Sequence, residues 1–519
     1  MKFWPAALFL TLSFSAADAA TVLNRGNGGE PESLDPQFAS GTLEANIVGD
    51  LMTGLTTLDA AAKPIPGAAE RWDVSQDGLT WTFHLRDETW SDGVKLTAGD
   101  FVFAWRRLLD PKTAARSSAI LWVVKNARGI SAGKLPPAAL AVRAPDTRTL
   151  VVQLEHPAPY LPELLTNNSA QPLPEHVVAA KGAGWARPGS YVGNGAYLLK
   201  DWVPGDHITL IRNPRFYDAA HVRIDSVTYY PTADSAAALK RYRAGELDMI
   251  NPVPVQQIDW LRANLKSELK VTPSLALSYI AINLDDPALK DVRVRRALNL
   301  AYNREAVTQK VVKLGEPPAY GIVPPGIANY HGAEMDFRAL PYPARVAQAQ
   351  SLMQAAGYGP GHPLRLTYSA FSNPDSRRLA ALFQALCRPL YVDIDIQITD
   401  LPVLMRNLRQ HQFQLSSASW FADYNDASNF LDLLRGGAAG NYADYRNARF
   451  DATMDQAQNE PDADKRGALL AAAEQIALAD YPWIPVRFAV QTDLVKPSVK
   501  GWVANVRDYQ RSRWLWLQK

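Results

Sequence analysis

The alternation of strand-like and helix-like segments between residues 364 and 398 limits the possible folds most strongly. Residues 364–368 and 392–398 favour strands, and residues 377–390 between them have the apolar spacing of a helix. A strand, a helix and a further strand in succession are typical of a crossover that places its two strands parallel. The sequence therefore predicts an α/β fold with some parallel pairing in this half of the chain.

The same patterns predict further elements along the chain. Thr97 is a candidate N-cap for a helix through Trp105, and Asp462 is one for a helix over residues 463–479. Other strands are predicted over residues 80–85, 150–154, 197–199, 207–211, 227–230, 413–420 and 483–486, and other helices over residues 235–244, 292–302 and 344–356. At roughly 150 residues per domain, 519 residues suggest about three domains. We interpret the organisation as two α/β lobes with a ligand between them.

The N-terminus has the features of an export signal. Lys2 supplies the positive charge, residues 3–14 are apolar, and residues 17–19 (Ala-Asp-Ala) fit the small-x-small cleavage rule. The apolar run is shorter than the roughly 20 residues that span a bilayer. We expect residues 1–19 to be a cleaved signal peptide and the mature chain to begin at Ala20. Cys387 is the single cysteine, which excludes an internal disulfide framework and any multi-cysteine metal site.

Composition and motifs give little support to an enzyme or a nucleic-acid-binding protein. The net charge of +2 lacks the basic excess that nucleic-acid binding usually needs. The eight histidines show no metal-ligand spacing, and no phosphate-binding or dinucleotide-binding motif occurs, so neither a metal nor a cofactor is expected. Residues 129–133 match the G-x-S-x-G nucleophile pattern around Ser131. Pro136 and Pro137 forbid the helix that this motif needs next, so we interpret it as a loop.

Near the expected mature start, residues 30–36 read E-P-E-S-L-D-P. This segment, which is close to an E-x-x-S-L-D-P motif, and several others together resemble the oligopeptide-binding proteins of ATP-binding-cassette importers, extracellular solute-binding protein family 5. The other matching segments, in family order, are residues 67–72, 77–86, 90–93, 96–102, 194–197, 213–217, 241–248 and 291–298. Each segment is weak alone, but their order and spacing cover essentially the whole mature chain.

The resemblance implies a two-lobed periplasmic-binding-protein fold, type II-like and of the large cluster, with an extra inserted subdomain. Two crossover segments join the lobes, which close over ligand by a hinge. The core of the first lobe is expected to comprise residues 20–50, 172–271 and 494–519. Residues 51–171 would form the inserted subdomain of that lobe, and residues 272–493 the second lobe.

The resemblance also implies a peptide-binding constellation around residues 420–426, which read W-F-A-D-Y-N-D. Asp423 matches the carboxylate that binds the α-ammonium of a peptide, whereas on the residues alone such an Asp more often caps its own turn. The strand before it, including Ser419 and Phe421, would pair with the peptide backbone. Trp420 would form the wall of a side-chain pocket, with an ordinary core position as the alternative.

Four further residues are candidate contacts on the two sides of the cleft. Glu30 and Glu32 would flank the peptide opposite residues 417–421. Tyr279 and Asn283 lie on one face of a strand that lines the cleft in the family. The sequence allows Tyr279 either to pack in the core or to contact the ligand.

The chain departs from the family at the other end of the ligand. Relatives that bind the carboxylate of a tripeptide have an Arg six residues before the Asp, where this chain has Ser417. Where others offer a His for longer peptides, the matching position is Ser376. The candidate cations for a ligand carboxylate are therefore Arg377, Arg409, Lys310 and Lys313, each of which is otherwise a solvated surface charge.

The function implied by the resemblance is capture of oligopeptides in the periplasm and their delivery to the permease subunits of an inner-membrane importer. No reaction, cofactor or nucleic acid is involved, and a monomer is expected. A murein peptide or another modified peptide is the alternative ligand in the same fold. A periplasmic serine hydrolase, resting only on Ser131, is the alternative of another class.

Overall fold

The structure, a computed structural model, describes residues 20–39 and 41–518. The predicted signal peptide, residues 1–19, lies outside the described residues. Among the residues described, no helix combines the length and the apolar character that a membrane crossing requires.

The N-terminal half contains two sheets and the helices packed on them. Its elements are β1 Val22–Gly26, α1 Thr42–Leu51, β2 Thr56–Leu58, β3 Pro64–Pro66, β4 Ala69–Val74, β5 Thr80–Leu85, α2 Ala98–Leu109, α3 Ala127–Ser131, β6 Val142–Asp146, β7 Thr149–Gln153, α4 Leu161–Leu164, α5 Glu175–Lys181, β8 Tyr197–Val203, β9 His207–Arg212, β10 Ser226–Tyr230, α6 Ser235–Ala244, β11 Met249–Ile250 and α7 Ile258–Asn264.

The C-terminal half has the strand–helix–strand order expected of α/β structure. Its elements are β12 Leu269–Ile282, α8 Val292–Ala301, α9 Arg304–Ala306, α10 Tyr342–Ala355, β13 Leu364–Phe371, α11 Pro374–Cys387, β14 Val392–Thr399, α12 Leu401–Arg409, β15 Leu415–Phe421, α13 Ser428–Leu431, α14 Ala448–Gln458, α15 Ala463–Asp480, β16 Trp483–Val495, β17 Val499–Lys500 and β18 Trp516–Leu517.

Local sequence explains most of these elements. In β5 buried and half-buried side chains alternate, as the alternation of its residues predicts. Helix α2 begins after Thr97, whose backbone N–H donates to Asp100 at 2.8 Å in a capping box. Asp462 caps α15 by accepting from the N–H groups of Asp464 and Lys465. The predicted parallel pairing is present, because β13 pairs with β14 in register from Leu364 to Phe371.

Two long strands, β12 and β16, join the two halves of the molecule. They pair antiparallel from Leu269 opposite Leu494 to Ala281 opposite Trp483, within a ten-stranded sheet of order β14-β13-β15-β12-β16-β11-β1-β10-β9-β8. Of these strands, the sequence predicted only residues 279–282 and 483–486. The first part of β12 was not predicted because Pro273 interrupts its apolar pattern, and a register shift follows this proline.

Two large apolar cores lie on either side of these strands. One core contains only residues between Leu275 and Phe488. The other contains residues 23–229 together with Met249, Val495, Val499 and Leu515. Residues of the predicted inserted subdomain, such as Trp105 and Leu150, belong to the core that is built mainly on residues 23–229. We call the part built on residues 23–229 and the C-terminal segment the first lobe, and the part built on residues 275–488 the second lobe.

Candidate ligand-binding site

Strand β15 presents one unpaired edge. Along its whole length it pairs with β12, from Ala276 opposite Phe421 to Ile282 opposite Leu415. On its other side the register with β13 covers only Leu415 and Ser416. In the described part of the chain, residues 418–421 therefore have a strand neighbour on one side only.

The ladder pattern fixes which backbone groups of β15 face this unpaired edge. Next to the paired segment, the N–H of Ala422 donates to Leu275 and the N–H of Asn283 donates to the carbonyl of Gln414. Because hydrogen-bonded and non-hydrogen-bonded pairs alternate in an antiparallel ladder, even-numbered residues of β15 bond to β12. The N–H and C=O groups of Ser419 and Phe421 point the other way, as does the C=O of Ser417, whose N–H faces the end of β13.

The side chains along this edge differ in exposure. Phe421 is 62% exposed, which is unusual for a large apolar residue on a strand. Ser419 is exposed and its hydroxyl lies 3.2 Å from that of Ser278 on β12. Trp420 is half-buried against the core of the second lobe, and its Nε1–H donates to Asn429 Oδ1 at 2.8 Å. Its pocket-wall role stays a prediction.

Asp423 follows directly after this edge, in the loop of residues 422–427, which we call the Asp423 loop. Residue Asp423 is exposed, but partial desolvation of its carboxyl raises the pKa of that group, and the nearby Arg507 guanidinium opposes the rise. Arg507 belongs to the first lobe, and its Nη2 donates to the backbone carbonyl of Asp423 at 3.4 Å. A second donor group of Arg507 pairs with Glu163 on α4.

The C-terminal end of the Asp423 loop is fixed by an ion pair. Asp426 accepts from both terminal nitrogens of Arg466 on α15, at 2.6 and 2.9 Å, and both side chains are nearly buried. Bidentate pairs of this kind hold their partners in a single orientation. A cavity of about 800 Å³ borders the loop and is lined by residues of both lobes, among them Trp72 and Tyr160 of the first and Asn425 and Arg466 of the second.

Tyr279 packs in the core of the second lobe, and the side chain of Asn283 bonds to backbone carbonyls. Tyr279 is 2% exposed and stacks on Trp483 with ring centroids 4.0 Å apart. The side-chain amide of Asn283 donates to the carbonyls of His411 and Phe413, and so ties the end of β12 to the turn before β15. Contact of either residue with ligand stays a prediction.

Glu30 and Glu32 lie in the first lobe and bond to residues of that lobe. Glu30 accepts from Trp202 Nε1 and from the N–H of Gly205. Glu32 pairs with Arg116 at 2.7 Å, with a side chain that is 67% exposed. Their place opposite β15 also stays a prediction.

The four candidate cations for a ligand carboxylate are all exposed or half-buried side chains at the surface of the second lobe: Arg377, Arg409, Lys310 and Lys313. Arg377 donates to Ser372 Oγ at 3.3 Å. The structure adds one cation that sequence reasoning missed, Arg487 on β16, which lies opposite Ser278 and pairs with the buried Glu316. The pairing of β16, β12 and β15 brings Arg487 near Ser419, and no local sequence motif could have predicted this proximity.

Ser131, the candidate nucleophile, ends the short helix α3 rather than lying in the predicted loop. The left-handed Asn126 starts this helix after Lys125, so no strand enters the motif as a nucleophile elbow requires. The indole N–H of Trp122 donates to Ser131 Oγ at 3.3 Å. An indole N–H is a donor only and cannot take the hydroxyl proton.

Comparison with known proteins identifies the family to which this chain belongs. The sequence model of the bacterial extracellular solute-binding proteins, family 5 (middle part), matches residues 63–442. The chain belongs to this family. It is 38% identical to the probable deoxycholate-binding periplasmic protein YgiS of Escherichia coli over 96% of this chain and 94% of the relative. It is 36% identical to the periplasmic oligopeptide-binding protein OppA of the same organism over 93% and 89%.

Solved structures of this family match the whole fold of the two lobes. The unliganded open form of the murein tripeptide-binding protein MppA has a TM-score of 0.87 at 33% identity, covering 96% of this chain and 97% of that one. The complex of Haemophilus influenzae OppA with the peptide RPPGFSPFR has a TM-score of 0.79 at 35% identity, covering 97% and 100%. The two-lobed periplasmic-binding-protein fold is thus established.

Proposed function

We propose that the protein is the extracytoplasmic solute-binding component of an ATP-binding-cassette importer, which captures oligopeptides between its lobes. It works in the periplasm, passes its ligand to the permease subunits of the inner membrane, and catalyses no reaction. The observation that carries this proposal is the unpaired edge of β15 followed at once by Asp423. A strand edge and a carboxylate in succession suit an extended chain with a free amine at its start.

The peptide binds by adding a strand to this edge. The backbone groups of Ser419 and Phe421 and the carbonyl of Ser417 bond to the backbone of the ligand, so that affinity depends little on the side chains of the peptide. The α-ammonium of the ligand pairs with Asp423, because a buried ammonium without a charged acceptor would lose its hydration without compensation. The exposed ring of Phe421 is covered by ligand and by the first lobe.

Closure follows from ligand contacts with both lobes. A ligand shifts the balance between open and closed forms only by the difference in its affinity for the two. Contacts from Glu30 or Glu32, on the first lobe, form in the closed form alone and supply that difference. The permease then distinguishes the closed, loaded protein from the open one.

Two other ligand classes are named for relatives of this chain and compete with a general oligopeptide. A murein tripeptide, named for MppA, has a free amine and suits Asp423 equally well. Deoxycholate, named for YgiS, is an apolar carboxylate that would suit the exposed Phe421 but not the negative charge of Asp423. The presence of Asp423 favours the ligands with an amine.

The deciding experiment is native mass spectrometry of the mature protein with an equimolar pool of tri- to pentapeptides, murein tripeptide and deoxycholate. We expect peptide adducts to dominate and deoxycholate to be displaced by them. Isothermal titration with the tightest pool peptide and its N-acetylated form then tests the amine. Dominant deoxycholate adducts, or equal affinity for the acetylated peptide, would contradict the proposal.

A further inference from the structure

The Asp423 loop belongs to the second lobe, yet the first lobe holds its backbone at two points. Arg507 Nη2 donates to the carbonyl of Asp423 at 3.4 Å. Glu163 accepts from the backbone N–H of Asn425. Glu163 and Arg507 also pair with each other, and their side chains are only 7% and 4% exposed. The carbonyl and the N–H on the two sides of Tyr424 are therefore held by one buried ion pair.

Such a pair is costly to bury, so its position needs a reason. A buried ion pair often contributes little net stability, because desolvation of both charges offsets their attraction. Here each member bonds outward to a different backbone group of the same loop, which holds the backbone on both sides of Tyr424, next to Asp423. The guanidinium of Arg507 also lies near enough to oppose the rise in the pKa of Asp423 that burial causes.

We infer that Glu163 and Arg507 are positioning residues that assemble the amine-binding end of the ligand site before the lobes close. They keep the Asp423 carboxylate charged and aimed at the incoming ligand while the lobes are still open. Capture therefore begins at the amine of the ligand, and closure completes the remaining contacts. This inference rests on the proposed function, because it needs a ligand with an amine at Asp423.

The other charged groups around the loop do not replace this pair. They are Asp426, Asp432, Arg435 and Arg466 of the second lobe and His156 of the first lobe. Asp426 and Arg466 neutralise each other, and Arg435 pairs with Asp432. Arg507 is the charge that acts directly on the carboxyl of Asp423.

The test replaces both charges together, as Glu163→Gln with Arg507→Gln, so that neither partner is left buried and unpaired. A matched control replaces the pair of Glu305 and Arg345, which lies in the second lobe away from this loop, in the same way. Circular dichroism first confirms that each variant is folded. Isothermal titration from pH 4 to pH 8 then uses the tightest pool peptide and its N-acetylated form.

We expect the Glu163/Arg507 variant to bind the free-amine peptide at least about tenfold more weakly. As the pH is lowered, its affinity should also fall at a higher pH than in the wild type, because loss of the cation raises the pKa of Asp423 further. The acetylated peptide should bind both proteins alike, and the control pair should change neither quantity. A second variant, Arg507→Lys, keeps the charge and should keep the pH midpoint while losing part of the affinity.

The outcomes separate this inference from the function on which it rests. If the wild type binds no peptide, or binds the acetylated peptide equally well, the proposed function fails. If the wild type prefers the free amine but the Glu163/Arg507 variant keeps its affinity and pH midpoint, the inference alone is overturned. The same holds if the control pair shows an equal loss. Should the double variant not fold, an upward shift of the midpoint in Arg507→Lys would overturn it.

Discussion

Tyr160 of the first lobe stacks on Tyr424 of the second, with ring centroids 5.3 Å apart and ring planes inclined by 8°. Tyr424 packs against the apolar core of the first lobe rather than that of its own lobe. The guanidinium of Arg466 lies 4.6 Å from the centroid of the Tyr160 ring. The two lobes thus touch beside the Asp423 loop as well as along β12 and β16. The proposed amine-binding end of the site therefore lies where the lobes already meet.

Replacement of Asp423 by Asn is expected to weaken binding of a free-amine peptide roughly tenfold or more. The ligand ammonium would then be buried against a neutral amide instead of a carboxylate, and charge-assisted hydrogen bonds are about twice as strong as neutral ones. Isothermal titration at pH 7 measures the change. An N-acetylated peptide is the control, since it should bind both proteins with similar affinity. Unchanged affinity for the free-amine peptide would remove Asp423 from the site.

Replacement of Ser419 by Pro is expected to abolish most peptide binding and to leave the fold intact. The N–H of Ser419 faces the unpaired edge, so proline removes a group that the proposed ligand would use and that the β12 ladder does not. Proline is tolerated on a strand edge where the N–H faces solvent. Thermal unfolding and titration with the same peptide measure the two effects.

The neighbouring substitution Ala418→Pro provides the matched control. The N–H of Ala418 faces β12, so its loss leaves a ladder carbonyl unpaired and should reduce the free energy of unfolding by about 1–3 kcal/mol. Opposite results at the two positions, with Ala418→Pro neutral and Ser419→Pro unfolded, would show that the peptide edge has been assigned to the wrong residues.

The elements that sequence predicts well are those whose signals are local. The alternation of β5, the capping box of α2 and the crossover from β13 to β14 each depend on a short stretch of chain, and the structure contains all three. The lengths of β12 and β16 could not be predicted from local sequence patterns. Their environment changes from one lobe to the other along the strand, so no single periodicity describes them.

The site was predictable only in part for the same reason. Asp423 came from a resemblance in a short motif, whereas Glu163 and Arg507 are 344 positions apart and meet only in the folded chain. Arg487 is likewise brought beside Ser278 by the register of β12 and β16. The partners that orient a predicted residue come from distant segments, and their identity follows from topology rather than from spacing.

Replacement of Asp508 by Asn is expected to stabilise the protein progressively, relative to the wild type, as the pH rises above the ordinary carboxyl pKa of about 4. Asp508 and Asp493 on β16 both accept from the amide of Asn251, at 2.8 and 2.9 Å, and both are nearly buried. Burial raises the pKa of both carboxyls, and the charge of Asp493 raises the pKa of Asp508 further. The native state therefore binds more protons than the unfolded chain in this range.

It follows that the wild type loses stability as the pH rises through this range, by up to about 1.4 kcal/mol per pH unit for each proton. The amide introduced by Asp508→Asn cannot ionise, so the difference between variant and wild type should grow with pH. Thermal unfolding in a series of buffers from mildly acidic to mildly basic measures it. The exposed Asp393→Asn is the control for a change in net charge and should show no such trend. A constant difference across the range would contradict the shared burial of the two acids.

Replacement of Arg466 by Met is expected to reduce the free energy of unfolding by about 3–5 kcal/mol. The substitution leaves Asp426 charged, 11% exposed and without the two guanidinium bonds that it accepts. It also removes the cation above the Tyr160 ring, and with it part of the contact between the lobes. Addition of Asp426→Asn should restore much of the loss, because the buried charge is then gone. Urea unfolding of the two variants measures the difference, and equal stability of the single and double variants would mean that Asp426 remains solvated and that this pair does not fix the Asp423 loop.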